Sequence, residues 1–255
     1  MLTRRQMIQT AAASASAAAL LPQAALAQDQ PPEGANHDTA DGAFGIVALG
    51  HASLLLTTPG GTILVDPVVA PDVLARQPAP DLILITHEHG DHFDVPTLEA
   101  LAGGTAPLIT NQAVYDKLPE ALKSRATAMA NGEAAGILEG KGVIEAIPAY
   151  NTTADRAQYH PKGRDNGYVL GFGGTRIYIA GDTEDIPEMR ALKDITIAFL
   201  PMNLPYTMDV DQAASATNEF KPAHVYPYHY RGQDPQKFAD LVTDSQVSLL
   251  RWYPE

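Results

Sequence analysis

Residues 86–92 read Thr-His-Glu-His-Gly-Asp-His, which puts three of the chain's eight histidines and one aspartate in a single short stretch. Imidazole and carboxylate are the usual nitrogen and oxygen ligands of zinc and similar divalent ions. Four of them around a glycine serve no purpose in an apolar core, so the stretch predicts a metal centre, and the chemistry open to it is hydrolysis by a pair of ions. The preceding Asp81-Leu82-Ile83-Leu84-Ile85 is short, apolar and rich in strand formers, which predicts a buried strand. In extended backbone, a spacing of two puts His87 and His89 on one face. Gly90 lets the chain bend sharply, and Asp91 and His92 past the bend are free to face a second ion. Asp94-Val95-Pro96 predicts a helix start, with Asp94 as cap and Pro96 in the first turn.

Other chemistries fail at particular residues. A zincin helix needs His-Glu-x-x-His, but the residue four after His87 is Asp91 and Gly90 interrupts any helix. A serine-hydrolase elbow needs Gly-x-Ser-x-Gly, which Gly50-His51-Ala52-Ser53-Leu54 does not supply. Gly171-Phe172-Gly173-Gly174-Thr175-Arg176 lacks the third glycine of a dinucleotide fingerprint and reads as a hairpin turn between two strands.

Two ions need more than four donors, and further donors are expected where strands end, because strand ends converge at one sheet edge. Asp182 follows the apolar run Ile177-Tyr178-Ile179-Ala180-Gly181, and His229 follows Val225-Tyr226-Pro227-Tyr228. Strands are predicted at 44–49, 53–57, 62–66, 81–85, 107–110, 126–130, 136–139, 143–149, 168–172, 176–180, 195–200, 224–228 and 247–252. Helices are expected at 95–102, after an Asn111 cap to about Leu118, at 211–220 behind an Asp209/Gln212 capping box, and after Asp234-Pro235. Pro59-Gly60-Gly61 and Gly173-Gly174 read as hairpin turns, and Asn131-Gly132 as a third, between the 126–130 and 136–139 strands.

The first 27 residues read as a targeting segment. Arg4 and Arg5 precede a weakly apolar, alanine-rich stretch from Ala11 to Leu21, and Ala25-Leu26-Ala27 is an A-x-A cleavage site. The stretch is too short and too interrupted by Ser14, Ser16 and Pro22 for the ~20 apolar residues of a spanning helix. It resembles a twin-arginine export signal, which implies a periplasmic protein that meets the export machinery transiently and keeps no stable membrane insertion once cut near Ala27. Residues 28–42 read as a disordered leader in which His37 plays no part, and 43–255 as one hydrolase domain with a sizeable core. There is no cysteine, so disulfides and thiolate ligands are both excluded. The formal net charge of −13 repels phosphate backbones and argues against a nucleic-acid partner, leaving a small-molecule substrate.

With Asp66 in Leu64-Val65-Asp66-Pro67, His87/His89/Asp91/His92, Asp182 in Ala180-Gly181-Asp182-Thr183 and His229 in Tyr228-His229-Tyr230, the chain resembles the metallo-β-lactamase superfamily over residues 44 to about 230. The resemblance implies an α+β fold, an αββα sandwich of two mixed sheets covered by outer helices, with the metals at one edge between the sheets. Gly50-His51-Ala52-Ser53, Gly-Asp-Thr and Leu-Pro-Met-Asn look most like the UlaG-like or phospholipase-D-like branch of predicted metal-dependent hydrolases. One position departs from the pattern. The family's middle histidine usually follows a Pro-Ala-Tyr strand end, but here Ile147-Pro148-Ala149-Tyr150 leads to Asn151. His160 is expected to loop back and supply that ligand, with Asn151 or water as the alternative.

On this pattern His87, His89 and His160 hold one ion, Asp91, His92 and His229 the other, and Asp182 bridges. Zinc is the expected metal, with manganese or iron as alternatives. The two ions are expected to share a hydroxide that attacks an ester, lactone, amide or phosphodiester. Asp91 and Asp182 are the expected catalytic groups, Asp91 orienting the nucleophile or moving a proton. Asp66 is expected to bond a ligand imidazole or the loop backbone. His51 is expected to touch substrate or support a ligand. Lys162 and Arg164 are candidates for binding a substrate carboxylate or phosphate, and Tyr206 for lining the pocket. The competing readings are a periplasmic β-lactamase of the same fold and a non-catalytic metal-binding scaffold.

Overall fold

The computed structural model describes residues 32–101 and 104–253. The export signal expected over 1–27, its cleavage site and the first residues of the leader lie outside the described residues. Residues 33–42, expected to be disordered, are instead structured. Glu33–Thr39 is strand β1, and it pairs antiparallel with β2 (Gly42–Gly50). Its composition is polar because it is an edge strand, with residues that alternate between solvent and a thin apolar contact.

The chain continues through β3 (Ser53–Thr58), β4 (Gly61–Val65), β5 (Leu82–Leu84), β6 (Leu108–Thr110) and β7 (Ala126–Ala128), which complete a seven-stranded sheet in sequential order. β1 to β4 are antiparallel, and β4 to β7 are parallel. The second sheet repeats this plan. β8 (Ala134–Ile137), β9 (Gly142–Ala149), β10 (Asp165–Phe172) and β11 (Thr175–Ile179) are antiparallel, and β11, β12 (Ile197–Pro201), β13 (His224–Tyr228) and β14 (Gln246–Val247) are parallel. Asn131-Gly132 is therefore not a hairpin turn. β7 and β8 lie in different sheets, and the turn carries the chain from one to the other. The predicted 247–252 strand is also shortened to Gln246–Val247, after which the chain leaves the sheet and buries Trp252 in the core.

Strand alternation explains the layers. Leu54, Leu56, Ile63, Val65, Leu82 and Leu84 face inward and meet Ile144, Tyr168, Leu170, Ile177, Phe199 and Tyr226 of the other sheet. After β4, α1 (Pro71–Ala75) packs Val73 and Leu74 with Leu55 and Leu64. Ile83 and Ile85 face outward, onto Leu98 of α2 (Val95–Ala100), Val114 of α3 (Gln112–Lys117) and Leu122 of α4 (Glu120–Lys123). On the opposite side Tyr178, Ala198 and Val225 meet Met189 of α5 (Pro187–Arg190), Ala213 and Phe220 of α6 (Val210–Phe220) and Phe238 of α7 (Pro235–Leu241). Strands buried on both faces read as continuous apolar runs, as β5 and β12 do. The architecture is the expected α+β sandwich of two mixed sheets with outer helices. The predicted caps at Asp94, Asn111 and Asp234 accept backbone N–H groups, and Asp209 with Gln212 forms a complete capping box. No helix among the described residues is long and apolar enough to cross a membrane.

The parallel strands matter most for the site. Their register brings the carboxyl ends of β4, β5, β11 and β13 to one edge, where Asp66, the 86–92 loop, Asp182 and His229 emerge together.

Candidate metal centre

β5 ends at Leu84, so His87 and His89 are not held on one face by strand alternation. The loop brings them together by another route. The His92 and Phe93 N–H groups both donate to the His89 carbonyl, at 2.9 and 2.8 Å, and this turn reverses the chain. Gly90 has no positive φ and would accept a side chain without a clash, so the bend does not depend on its freedom. The glycine that the site needs is Gly181, with φ +64°, where an added Cβ would lie 2.9 Å from the Asn166 carbonyl and 3.1 Å from Thr86. That close approach seats Asp182 against the loop. Asp66, His51 and His229 also occupy left-handed backbone, at φ 43°, 48° and 47°, a conformation non-glycine residues adopt mostly where the surrounding structure imposes it.

Among the described residues, three sets of side chains bring candidate ligand atoms within 4.8 Å of one another: His87, His89 and His160; His87, His92 and Asp182; and His51, Asp91, His92 and His229. Asp182, 3% exposed, links them. Its carboxylate lies 3.4 Å from His92 Nε2, 3.5 Å from His160 Nε2, 3.5 Å from His229 Nε2 and 4.0 Å from His87 Nε2. His229 Nε2 is also 3.3 Å from Asp91 Oδ2. The His229–Asp91 pair is a weak hydrogen bond, and the Asp182 separations are long for hydrogen bonds. They suit two donors on one tetrahedral ion, whose bonds of about 2.0–2.1 Å put ligand atoms about 3.3–3.4 Å apart. His92 Nε2, His160 Nε2 and Asp182 Oδ1 are buried and have no hydrogen-bond partner. Buried polar atoms rarely go unmatched, so this donor set fits divalent ions. The absence of sulfur suits zinc and equally manganese or iron.

The far nitrogens of the same rings make short hydrogen bonds that aim the near ones inward. His92 Nδ1 meets Asp66 Oδ2 at 2.8 Å, and Asp66 also accepts the Thr86 N–H at 2.8 Å and the Thr86 hydroxyl at 2.7 Å. Asp66 thus bonds both a ligand imidazole and the loop backbone. His160 Nδ1 meets Asp165 Oδ2 at 3.1 Å. Asp165 was not expected from sequence; its only local signal is an acid five residues after a candidate ligand.

His160 arrives by a loop, 151–164, that has no strand or helix of its own. The Asn151 N–H donates to the His160 carbonyl at 2.8 Å, and the Asn151 amide nitrogen donates to the Arg156 and Tyr206 carbonyls at 3.1 and 2.7 Å. Asn151 therefore braces the loop, its own Oδ1 being buried without a hydrogen-bond partner, while His160 places Nε2 among the candidate donors. Glu184, buried, accepts from Thr152 and Thr153 and pairs with Arg156 at 2.9 Å, which fixes the loop's start.

The expected anion-binding side chains have partners of their own. Arg164 is not a free anion binder: Nε and a terminal nitrogen grip Asp165 at 2.7 and 2.9 Å, so its charge is spent holding the partner of His160. Lys162 donates to the Tyr150 hydroxyl at 3.0 Å and lies 3.3 Å from Glu188. Tyr206 is exposed, its ring packed edge-on against Tyr159 beside the His160 loop. His51 contacts Asp91 directly, Nε2 to Oδ2 at 2.9 Å.

Burial, reinforced by the charges of His92, His160 and His89, holds His87 well below the ordinary imidazole value. Burial also lowers His51, and burial with His160 lowers His89. For His92, burial opposes the charge but Asp182 and Asp66 outweigh it, raising the value to about 9. Burial likewise opposes the charges of Asp182 and Asp91; the surrounding imidazoles win, and both carboxyls sit below the usual range. These signs fix a pH profile for the metal-stripped protein. His51, His87 and His89 protonate more readily unfolded, so stability falls as pH drops below their unfolded value of about 6.5. The His92 contribution is fully present below about 6.5 and is lost as pH rises to about 9. The melting temperature after chelation is expected to peak near pH ~6.5; a steady rise from pH ~5 to ~9 in calorimetric scans would contradict these assignments.

Residues 45–229 match the family described as beta-lactamase superfamily domain. The chain is 30% identical over 234 residues to a UPF0173 metal-dependent hydrolase of Lysinibacillus sphaericus, covering 79% of this chain and 94% of the relative. It is 32% identical over 222 residues to one of Pyrococcus furiosus, covering 81% and 96%. Among solved structures, a protein assigned to the metal-dependent hydrolases from Parabacteroides distasonis superposes with a TM-score of 0.78 at 43% identity, covering 86% of this chain and 98% of that one. The metallo hydrolase Igni18 from Ignicoccus hospitalis superposes with a TM-score of 0.67 at 25% identity, covering 81% and 94%.

Proposed function

Because this chain belongs to the metallo-β-lactamase superfamily, and within it to the UPF0173 metal-dependent hydrolases, we propose that it is a binuclear enzyme acting on a small ester, lactone, amide or phosphodiester. The observation that carries this reading is Asp182. One buried carboxylate lies at ligand-edge distances from imidazoles of both sets, His160 on one side and His92 and His229 on the other. His87, His89 and His160 would hold one ion, Asp91, His92 and His229 the other, and Asp182 would span both. Zinc is the first choice of metal. Bound divalent ions of this kind acidify water to a pKa near 7 and stabilise charge developing on oxygen, an effect worth several kcal/mol.

The chain's own groups do the rest. Asp66 and Asp165 keep the His92 and His160 rings turned inward. Asp91 is the donor most open to solvent, its side chain 48% exposed. That exposure suits it to take the proton released as water adds and to deliver it to the departing oxygen or nitrogen. The motifs at 50–53 and 181–183 favour the UlaG-like or phospholipase-D-like branch. The twin arginines and Ala25-Leu26-Ala27 support export to the periplasm with removal of residues 1–27.

The deciding experiment is metal analysis of the 28–255 protein combined with a panel of chromogenic esters, lactones, phosphodiesters and a cephalosporin. About two ions per chain and chelator-sensitive turnover of one class are expected. Turnover of the cephalosporin alone would reassign the enzyme as a β-lactamase. One ion or none, with no turnover on any member, would overturn the proposal.

A further inference from the structure

We propose that Tyr253 and His51 form a hydrogen-bonded latch that positions Asp91, so that the 252–253 segment sets the affinity of the second ion. This rests on the binuclear reading above.

His51 is held from every side. A register shift between Ala48 and Gly50 ends β2, and His51 follows in left-handed backbone. Its N–H donates to the Trp252 carbonyl at 3.0 Å, and its carbonyl accepts the His229 N–H at 3.1 Å. Trp252 is 1% exposed in the core between the sheets, so this anchor is fixed. His51 Nδ1 lies 2.8 Å from the Tyr253 hydroxyl, and Nε2 lies 2.9 Å from Asp91 Oδ2.

The direction of these bonds follows from matching donors to acceptors. The Tyr253 oxygen already accepts the Arg231 N–H at 3.1 Å. Among the described residues the acceptor within reach of its own proton is His51 Nδ1, which leaves Nε2 protonated and donating to Asp91. The opposite tautomer would set a bare Nε2 lone pair against a carboxylate oxygen and leave the tyrosine proton unmatched. The 2.9 Å separation is also a hydrogen-bond length, shorter than the 3.3–3.5 Å spacings among the other donors. His51 is therefore a positioning residue rather than a fourth ligand, although its nitrogen lies within reach of the Asp91, His92 and His229 donor atoms. Asp91 needs such a tether because it is half exposed and would otherwise turn toward water.

The test titrates zinc into metal-stripped wild-type, Y253F and H51A proteins against a chromophoric chelator, with melting temperatures confirming that each folds. Y253F keeps the aromatic ring that packs against Tyr230 and loses only the hydroxyl. It is expected to weaken the second ion about 10–100-fold and leave the first unchanged. H51A is expected to weaken the same ion further, with two ions still bound at saturating zinc. Turnover lost by Y253F at limiting zinc is expected to return at saturation. Y253F that binds both ions like wild type overturns the latch. So does an H51A protein that takes only one ion at saturation, since that result makes His51 a ligand. Wild-type protein that takes a single ion overturns this proposal and the binuclear reading together, and is distinguished by being read on the unaltered chain.

Discussion

Asp182→Ala is expected to cut turnover by at least about 10³-fold, equivalent to about 4 kcal/mol of transition-state stabilisation, in a protein that still folds. Among the described residues its carboxylate is the only one within 4.0 Å of His87, His92, His160 and His229 together. Removing it takes a shared donor from both proposed ions and leaves the imidazoles facing one another. It also removes the largest of the three carboxylate charges, those of Asp182, Asp66 and Asp91, that raise His92, so that ring would titrate nearer its ordinary value. Asp182→Asn separates the effects, since it keeps the volume and loses the charge. Metal content, circular dichroism and turnover on the active member of the substrate panel read the result. Unchanged turnover in either variant would remove the mechanism.

His160→Ala and Asn151→Ala are expected to differ in kind. His160→Ala should lose one of two ions at saturating zinc and about 10²–10⁴-fold in turnover, because an inward-facing donor disappears and no other described side chain of that loop carries an imidazole. Asn151→Ala should keep both ions at saturation and weaken one by about 10–100-fold, because its amide ties the loop to the Arg156 and Tyr206 carbonyls. Metal analysis after gel filtration, with and without excess zinc, distinguishes the two. Loss of an ion only from the Asn151 variant would assign the ligand to Asn151 and return His160 to a structural role.

The donors were legible where chemistry and local pattern coincide. Residues 87–92 carry their ligands in one stretch, and Asp182 and His229 each follow an apolar run that ends at the same sheet edge. Asp66 came only with the family resemblance. His160 was harder, because the 151–164 loop has no periodicity. Only the mismatch at Asn151 pointed to a displaced histidine. The supporting shell was mostly silent. Asp165, Glu184, Arg156 and Tyr253 act through pairings fixed by tertiary folding, and Tyr253 meets His51 across about 200 residues of chain. The partners of Arg164 and Lys162 were invisible because a sequence displays charges without what they pair with. The strands failed where pairing decides. Glu33–Thr39 is too polar to read as a strand until β2 supplies its hydrogen bonds, and Asn131-Gly132 is a good turn sequence whichever sheet comes next.

The sequential order of both sheets has a further consequence. All seven strands of one sheet come from residues 33–128, and all seven of the other from 134–247. The candidate donors are divided between those halves: positions 87 to 92 belong to the first, and positions 160, 182 and 229 to the second. Neither half alone supplies the full donor set of the proposed pair. Uptake of the ions would therefore clock the moment the two layers dock, and a cut at Gly132 would turn one enzyme into two inert pieces whose recombination the metal itself would report.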